Sequence, residues 1–123
     1  MSKPMRVLIV DDCADNARSL ALLIKMWGHD VCVAHDAVSA LGIAQSYRPG
    51  VIVLDIGLPD LNGYELARLL QEQQAPERPL LVAVTGYGQE RDRRRSQEAG
   101  FTYHLLKPIV PAELQELLAP LGR

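Results

Sequence analysis

Four apolar runs of this chain each end in a polar residue that could take part in phosphoryl chemistry. The runs are rich in Val, Leu and Ile, and they lead into Asp11-Asp12, Asp55, Thr85 and Lys107. Buried parallel strands read as continuous apolar runs, and open α/β sheets bind ligands beyond the carboxyl ends of their strands. The placement therefore predicts one site in which three carboxylates, a hydroxyl and an ammonium face each other.

Three carboxylates in one crevice would repel one another. If Asp11, Asp12 and Asp55 converge without a cation, we expect the pKa of at least one carboxyl to rise. Oxygen ligands with no His or Cys beside them favour Mg²⁺, Mn²⁺ or Ca²⁺ over zinc. Because Mg²⁺ commonly uses one or two carboxylates and keeps several waters, one carboxylate would be left for another role.

That remaining carboxylate could be a nucleophile, since an Asp can form an aspartyl phosphate. Phosphoryl transfer depends mainly on positioning and on neutralising the charge of the equatorial oxygens. Mg²⁺, the Lys107 ammonium and the Thr85 hydroxyl could each serve one of these oxygens. The residues thus include the parts needed to make or hold an acyl phosphate.

Five strands alternating with helices are predicted to position these residues. The predicted strands are Arg6–Val10, Val31–Ala34, Val51–Leu54, Leu80–Val84 and Tyr103–Leu106. The predicted helices are Ala14–Trp27, Ala37–Tyr47, Tyr64–Gln74, Gln89–Ala99 and a last helix that opens at Pro111. This alternation indicates an α/β domain with a parallel sheet covered by helices on both faces. Five strands fit the flavodoxin-like (βα)5 sandwich of order 2-1-3-4-5, which makes the first and third strands neighbours.

Local signals define two helix ends and the buried faces of two helices. Asp36 is expected to cap the second helix, and Gly28 to end the first in a left-handed conformation. The residues predicted to face inward are Val38, Ala40, Leu41 and Ala44 in the second helix and Leu66, Leu69 and Leu70 in the third.

Composition limits the class of protein. The 123 residues fit one domain spanning 1–123, and the net charge of −2 argues against nucleic acid as the main partner. We expect no membrane insertion, because no apolar stretch approaches the roughly 18 residues that a span requires. The N-terminus shows no signal-peptide pattern. Cys13 and Cys32 are interpreted as reduced thiols packed as small apolar residues in a cytoplasmic protein.

Taken together, these residues resemble a response-regulator receiver domain, the CheY-like family of two-component signalling. The resemblance rests on Val10-Asp11-Asp12, the run 55–63, Thr85-Gly86 and Lys107-Pro108, in family order and spacing. The loop Gly86-Tyr87-Gly88 and the Arg-rich helix after it resemble the receivers of hybrid sensor kinases more than free chemotaxis-type receivers. The chain would be either a stand-alone receiver or one excised from a larger protein.

The resemblance implies a role for each site residue. Asp55 would be the phospho-acceptor, Thr85 the switch hydroxyl and Lys107 the phosphate clamp, with a cis bond between Lys107 and Pro108. The implied Mg²⁺ ligands are Asp11, Asp12, Asp55 and the backbone carbonyl of Gly57. The family's switch aromatic usually stands three residues before the lysine. Here that position is His104, with Tyr103 one residue earlier, and either could take the role.

The implied function is a phosphorylation-activated switch, mainly a signalling domain that assists its own phosphorylation and dephosphorylation. A histidine kinase or phosphotransfer protein would donate the phosphoryl group to Asp55. An output partner could contact the face formed by the helix Gln89–Ala99, the fifth strand and the last helix. The alternatives are a phosphate-independent pseudo-receiver and a Mg²⁺-dependent phosphatase with an Asp nucleophile. Gly57 counts against the phosphatase, because such enzymes usually have a general acid two residues after the nucleophile, and Gly57 stands there.

Overall fold

The computed structural model describes residues 4–57, 62–86 and 98–119. Within these ranges, strands and helices alternate along the chain. They are β1 (Arg6–Val10), α1 (Ala14–Met26), β2 (Asp30–Ala34), α2 (Ala37–Tyr47), β3 (Val51–Asp55), α3 (Gly63–Gln74), β4 (Leu80–Thr85), β5 (Phe101–Leu106) and α4 (Pro111–Leu118). The helix predicted at Gln89–Ala99 lies outside the described residues, except for its last two residues, which are helical.

The strands form one parallel sheet of order β2-β1-β3-β4-β5. The register pairs Val10 with Leu54 across β1 and β3, and Asp55 with Val84 across β3 and β4. The carboxyl ends of β1, β3 and β4 therefore lie side by side at one edge of the sheet. This confirms the predicted flavodoxin-like α/β fold and its strand order.

Helices cover both faces of the sheet, as predicted. One core layer contains buried residues of α2 and α3, among them Ala40, Ala44 and Leu70. The other layer contains buried residues of α1 and α4, among them Ile24 and Leu114. No helix in the described part of the chain is long and apolar enough to cross a bilayer.

The predicted helix ends are confirmed. The Asp36 carboxylate accepts a hydrogen bond of 2.7 Å from the Ser39 N–H at the start of α2. Gly28 follows α1 with a positive φ of 94°, a backbone conformation that glycine adopts without steric cost.

Two residues predicted to face inward are exposed, and those predictions were wrong. Val38 is 78% exposed, because α2 packs through the alanine stripe of Ala37, Ala40 and Ala44. Leu69 is also exposed, because α3 turns Leu66, Ala67 and Leu70 toward the sheet. Apolar spacing located each helix but not the phase of its buried stripe.

The fifth strand begins at Phe101, two residues earlier than predicted. Its register to β4 shifts by one residue, since Leu81 pairs with Phe101 while Val82 pairs with Tyr103. Thr102 is thus an extra residue in a β-bulge, which breaks the alternation on which strand prediction depends. The prediction that both cysteines pack as small apolar residues was wrong for Cys13, which is exposed. Cys32 packs against the core, as predicted.

Candidate functional site

Three carboxylates come together at the carboxyl ends of β1 and β3. Asp11, Asp12 and Asp55 each offer one oxygen, and these oxygens all lie within 4.8 Å of one another. Asp55, the last residue of β3, is only 3% exposed, whereas Asp11 is half-buried and Asp12 is exposed. The cluster thus extends from the end of the core to the surface.

The Asp55 carboxylate is held through both of its oxygens. The Lys107 ammonium lies 2.7 Å from Oδ2, and the Gly57 N–H donates to Oδ1 at 2.9 Å. Lys107 reaches this position from beyond β5, and its side chain is 40% exposed. The ion pair therefore joins a buried carboxylate to a lysine side chain that remains partly accessible to solvent.

Main-chain contacts place Lys107 and Thr85 beside each other. The Lys107 N–H donates to the carbonyl oxygen of Thr85 at 2.8 Å. Thr85 is the last residue of β4 and is buried. The Lys107–Pro108 peptide bond is cis, in agreement with what the resemblance implied.

Burial and neighbouring charges together shift the pKa of Asp11 and the pKa of Lys107. Burial raises the pKa of the Asp11 carboxyl above its usual 3.8, with smaller contributions from the neighbouring charges of Asp55 and Asp12. The expected rise of one carboxyl pKa is thus confirmed, although desolvation contributes more than repulsion. Burial alone would lower the pKa of Lys107, but its hydrogen bond to Asp55 and the acidic charges outweigh burial and raise that pKa.

The loop between β1 and α1 carries the acidic pair and is held by short hydrogen bonds. The Asp11 N–H donates to the Ala34 carbonyl at 3.0 Å, and the Asp11 carboxylate accepts from the Cys13 N–H at 2.9 Å. Cys13 is the N-cap residue of α1 and forms no side-chain cap hydrogen bond. Asp11 thus also stabilises the start of the helix locally.

His35 contacts this loop, although it is not among the residues predicted for the site. Its Nδ1 atom lies 3.1 Å from the main-chain oxygen of Asp11. One signal was available: His35 follows β2, and β2 pairs with β1, which ends just before Asp11. Residues that follow neighbouring parallel strands end up close together.

The register of β5 after the bulge decides which of the two candidates for the switch position lies on the same face as Thr85. The register pairs His104 with Ala83 and Leu106 with Thr85. Because side chains alternate between the two faces of a strand, His104 lies on the same face as Thr85, and Tyr103 on the other. Both side chains are exposed, and the His104 ring lies 6.1 Å from the Phe101 ring between centroids.

A surface cavity of about 510 Å³ opens beside the cluster, between α1 and the segment that follows β5. Asp11 and Lys107 line it together with apolar side chains, among them Leu20, Leu23 and Ile109. A reacting group could therefore approach these two charged residues from the surface.

The donor set fits a hard divalent cation. It consists of carboxylate oxygens alone, which suits Mg²⁺ or Ca²⁺. With all side chains ionised, three carboxylates and one ammonium sum to a charge of −2 (three negative, one positive), which a divalent cation would balance.

Comparisons with known proteins are consistent with this geometry. The chain matches the family model described as response regulator receiver domain over residues 7–119. It is 29% identical to the polar-differentiation response regulator DivK of Brucella anthropi, over 97% of this chain and 98% of that protein.

Solved structures are similar as well. A response regulator receiver domain protein (CheY-like) from Methanospirillum hungatei JF-1 superposes with a TM-score of 0.86 at 28% identity, covering 94% of this chain and 91% of that one. The Saccharomyces cerevisiae receiver domain of Ssk1, solved with the histidine phosphotransfer protein Ypd1, has a TM-score of 0.88. It covers 99% of this chain and 91% of its own at 22% identity, and this likeness concerns the fold alone.

Proposed function

The chain belongs to the response regulator receiver domain family, and on that premise we propose that it is a signalling switch that accepts a phosphoryl group on Asp55. The observation that carries the proposal is the burial of the Asp55 carboxylate together with the charged groups around it. It is buried at the end of a central strand, 2.7 Å from the Lys107 ammonium and within 4.8 Å of two further carboxylates. A site for a single acyl phosphate needs this combination of a fixed nucleophile and nearby positive charge.

Asp55 would act as the nucleophile. One carboxylate oxygen would form a bond to phosphorus while the phosphorus–nitrogen bond of a donor phosphohistidine breaks, and the donor imidazole would leave with the bonding electron pair. The contacts to Gly57 and Lys107 fix the carboxylate before the donor arrives, which lowers the entropy cost of reaching the reactive geometry.

Lys107 and Thr85 would stabilise the transferred group. The ammonium, which already lies against Asp55, would pair with a phosphoryl oxygen as charge develops there. The Thr85 hydroxyl, at the end of the adjacent strand, would donate a hydrogen bond to another oxygen. Movement of Thr85 toward the phosphoryl group would then report phosphorylation to the β4–β5 side of the molecule.

Mg²⁺ is the cation that we propose for the cluster, with Asp11, Asp12, Asp55 and the backbone carbonyl of Gly57 as its protein ligands. When bound, it supplies positive charge that neutralises phosphoryl oxygens. The acidic pair would hold this charge beside Asp55, whose carboxylate is also oriented by Gly57 and Lys107.

The proposed donor is a histidine kinase or a histidine phosphotransfer protein. The complex of the Ssk1 receiver domain with Ypd1 shows such a partner for a protein of the same fold. For the output, we propose the face that includes β5 and α4, where Tyr103, Leu106 and Val110 are exposed. The third element of that predicted face, the helix at Gln89–Ala99, lies outside the described residues but for its end. The cytoplasmic location stays a prediction.

Intact mass measured after incubation with acetyl phosphate and Mg²⁺ tests the proposal. We expect the wild-type protein to gain the mass of one phosphoryl group, and EDTA or Asp55→Asn to prevent the gain. Asp15→Asn is the matched control, because Asp15 is an exposed acid in the first turn of α1, and it should label like the wild type.

Labelling of Asp55→Asn at the wild-type level would show that the acceptor is another residue. No labelling of any variant, together with no Mg²⁺ binding, would instead favour the pseudo-receiver. The phosphatase alternative has less support, because Gly57 offers only its N–H, already bonded to Asp55, where a general acid would stand.

A further inference from the structure

His35 supports the loop that carries the acidic cluster. Its Nδ1 atom lies 3.1 Å from the carbonyl oxygen of Asp11. A carbonyl oxygen can only accept a hydrogen bond, so in this contact Nδ1 carries the proton. The ring is therefore a donor to the main chain of a cluster residue, and its own nitrogen atoms take no place in the cluster of carboxylates.

Both main-chain polar groups of Asp11 are hydrogen-bonded by two consecutive residues, the last residue of β2 and the residue that follows it. Its N–H donates to the Ala34 carbonyl at 3.0 Å, and its carbonyl accepts from His35. The main chain of His35 is itself held in place, because Ala34 ends β2 and Asp36 caps α2 through Ser39, while the ring is exposed. The donor therefore comes from a fixed point of the fold.

The carbonyl that His35 contacts belongs to the peptide group joining Asp11 to Asp12. Asp12 is exposed, and its carboxylate contributes one of the three oxygens that lie within 4.8 Å of one another. A change in the ψ angle of Asp11, which turns this peptide group, would move Asp12 and its carboxylate relative to the other two. Hydrogen bonds that orient metal ligands from outside commonly change metal affinity by about 10- to 100-fold.

We propose that His35 is a positioning residue of the cation site, which holds the Asp11–Asp12 peptide in the orientation that cation binding requires. The inference rests on the proposed function, since that function places a divalent cation at this cluster. His35 is not proposed to contact the cation or the phosphoryl group.

Mg²⁺ dissociation constants, measured by calorimetric titration without any phosphoryl donor, test the inference. We expect His35→Ala to weaken Mg²⁺ binding by about tenfold. His35→Asn should restore most of the affinity, because the Asn amide nitrogen can donate from nearly the position of Nδ1. His29→Asn is the matched control and should bind Mg²⁺ like the wild type, since His29 contacts Met5 and lies away from the cluster. Urea unfolding of each variant verifies that it is folded.

A second readout needs no metal. The ring nitrogen shifts of neutral His35, measured by NMR, should show the proton on Nδ1, and a proton on Nε2 alone would overturn the inference. Equal Mg²⁺ affinity of the wild type and His35→Ala would overturn it and leave the proposed function intact. Asn binding no better than Ala would also overturn it, and absence of Mg²⁺ binding by the wild type would overturn both proposals.

Discussion

The pairing of Asp55 with Lys107 concentrates opposite charges at the edge of the core. Asp55 is almost fully buried, and a buried carboxylate is costly unless it is paired and hydrogen-bonded. Here Gly57 and Lys107 both bond it, while Lys107 keeps part of its side chain in solvent. At the scale of single residues, the site therefore combines a fixed acid with an ammonium that can turn to a new oxygen.

Lys107→Met keeps most of the stem and removes the ammonium. We expect phosphorylation of Asp55 by acetyl phosphate to slow by about 10²-fold or more, because one stabilising charge is lost from the transition state. The rate is measured by intact mass over time. Lys25→Met, at an exposed lysine in the last turn of α1, is the control. An unchanged rate in Lys107→Met would exclude the proposed role of the lysine.

The start of α3 lies unusually close to the loop that follows Asp55. A Cβ atom added at Gly63 would lie 2.6 Å from the Cα of Ile56, and the Gly63 N–H donates to the Ile56 carbonyl at 3.1 Å. Asn62 caps the same helix by accepting from the Glu65 N–H at 2.9 Å. At the scale of elements, α3 is thus fixed against the segment that also supplies the Gly57 donor.

Gly63→Ala separates helix propensity from close packing. Propensity alone favours Ala in a helix by about 1 kcal/mol, but the contact with the Ile56 backbone should reverse the sign and destabilise the protein by about 1–3 kcal/mol. Gly42→Ala in α2 is the matched control, because a Cβ there would meet nothing within 4 Å. Urea unfolding gives both values. Stabilisation by both substitutions would show that the close approach at Gly63 carries no cost.

At the scale of the whole molecule, a histidine fixes the residue that precedes β1. The Met5 N–H donates to Nδ1 of His29 at 3.1 Å, and the Asp30 N–H donates to the Met5 carbonyl at 2.9 Å. Nδ1 is an acceptor here, so the ring must be deprotonated at that atom. Burial lowers the pKa of His29 below its usual 6.5.

This shift predicts a pH dependence of global stability. Since the folded pKa is lower, the unfolded chain binds the proton first as pH falls, and unfolding is favoured. The contribution of His29 should be complete above pH 6.5 and should decline as pH falls from there toward the folded pKa. Urea unfolding of the wild type and His29→Gln at about pH 7.5 and about pH 5 measures it. A stability difference between the two proteins that does not change with pH would contradict the prediction.

Apolar runs and turn residues were enough to predict the alternation of strands and helices and most element bounds to within one residue. The strand order came from the flavodoxin-like arrangement that five strands fit. The bounds of β1 and α2 agree with prediction, because each is a strong local pattern with a clear stop. The start of β5 was missed, since the bulge at Thr102 is set by pairing with β4 rather than by local sequence. Exposure of Val38 was missed because α2 could bury either of two adjacent stripes.

The sequence by itself determined that carboxylates, a hydroxyl and an ammonium stand at the ends of apolar strands, because strand patterns and residue types are local properties of the chain. Their roles in phosphorylation and in Mg²⁺ binding stay predictions. Only the tertiary structure decided that Lys107 lies against Asp55, that His104 shares a face with Thr85, and that His35 bonds Asp11. These contacts depend on register and rotamer across separate elements, which a local pattern does not encode.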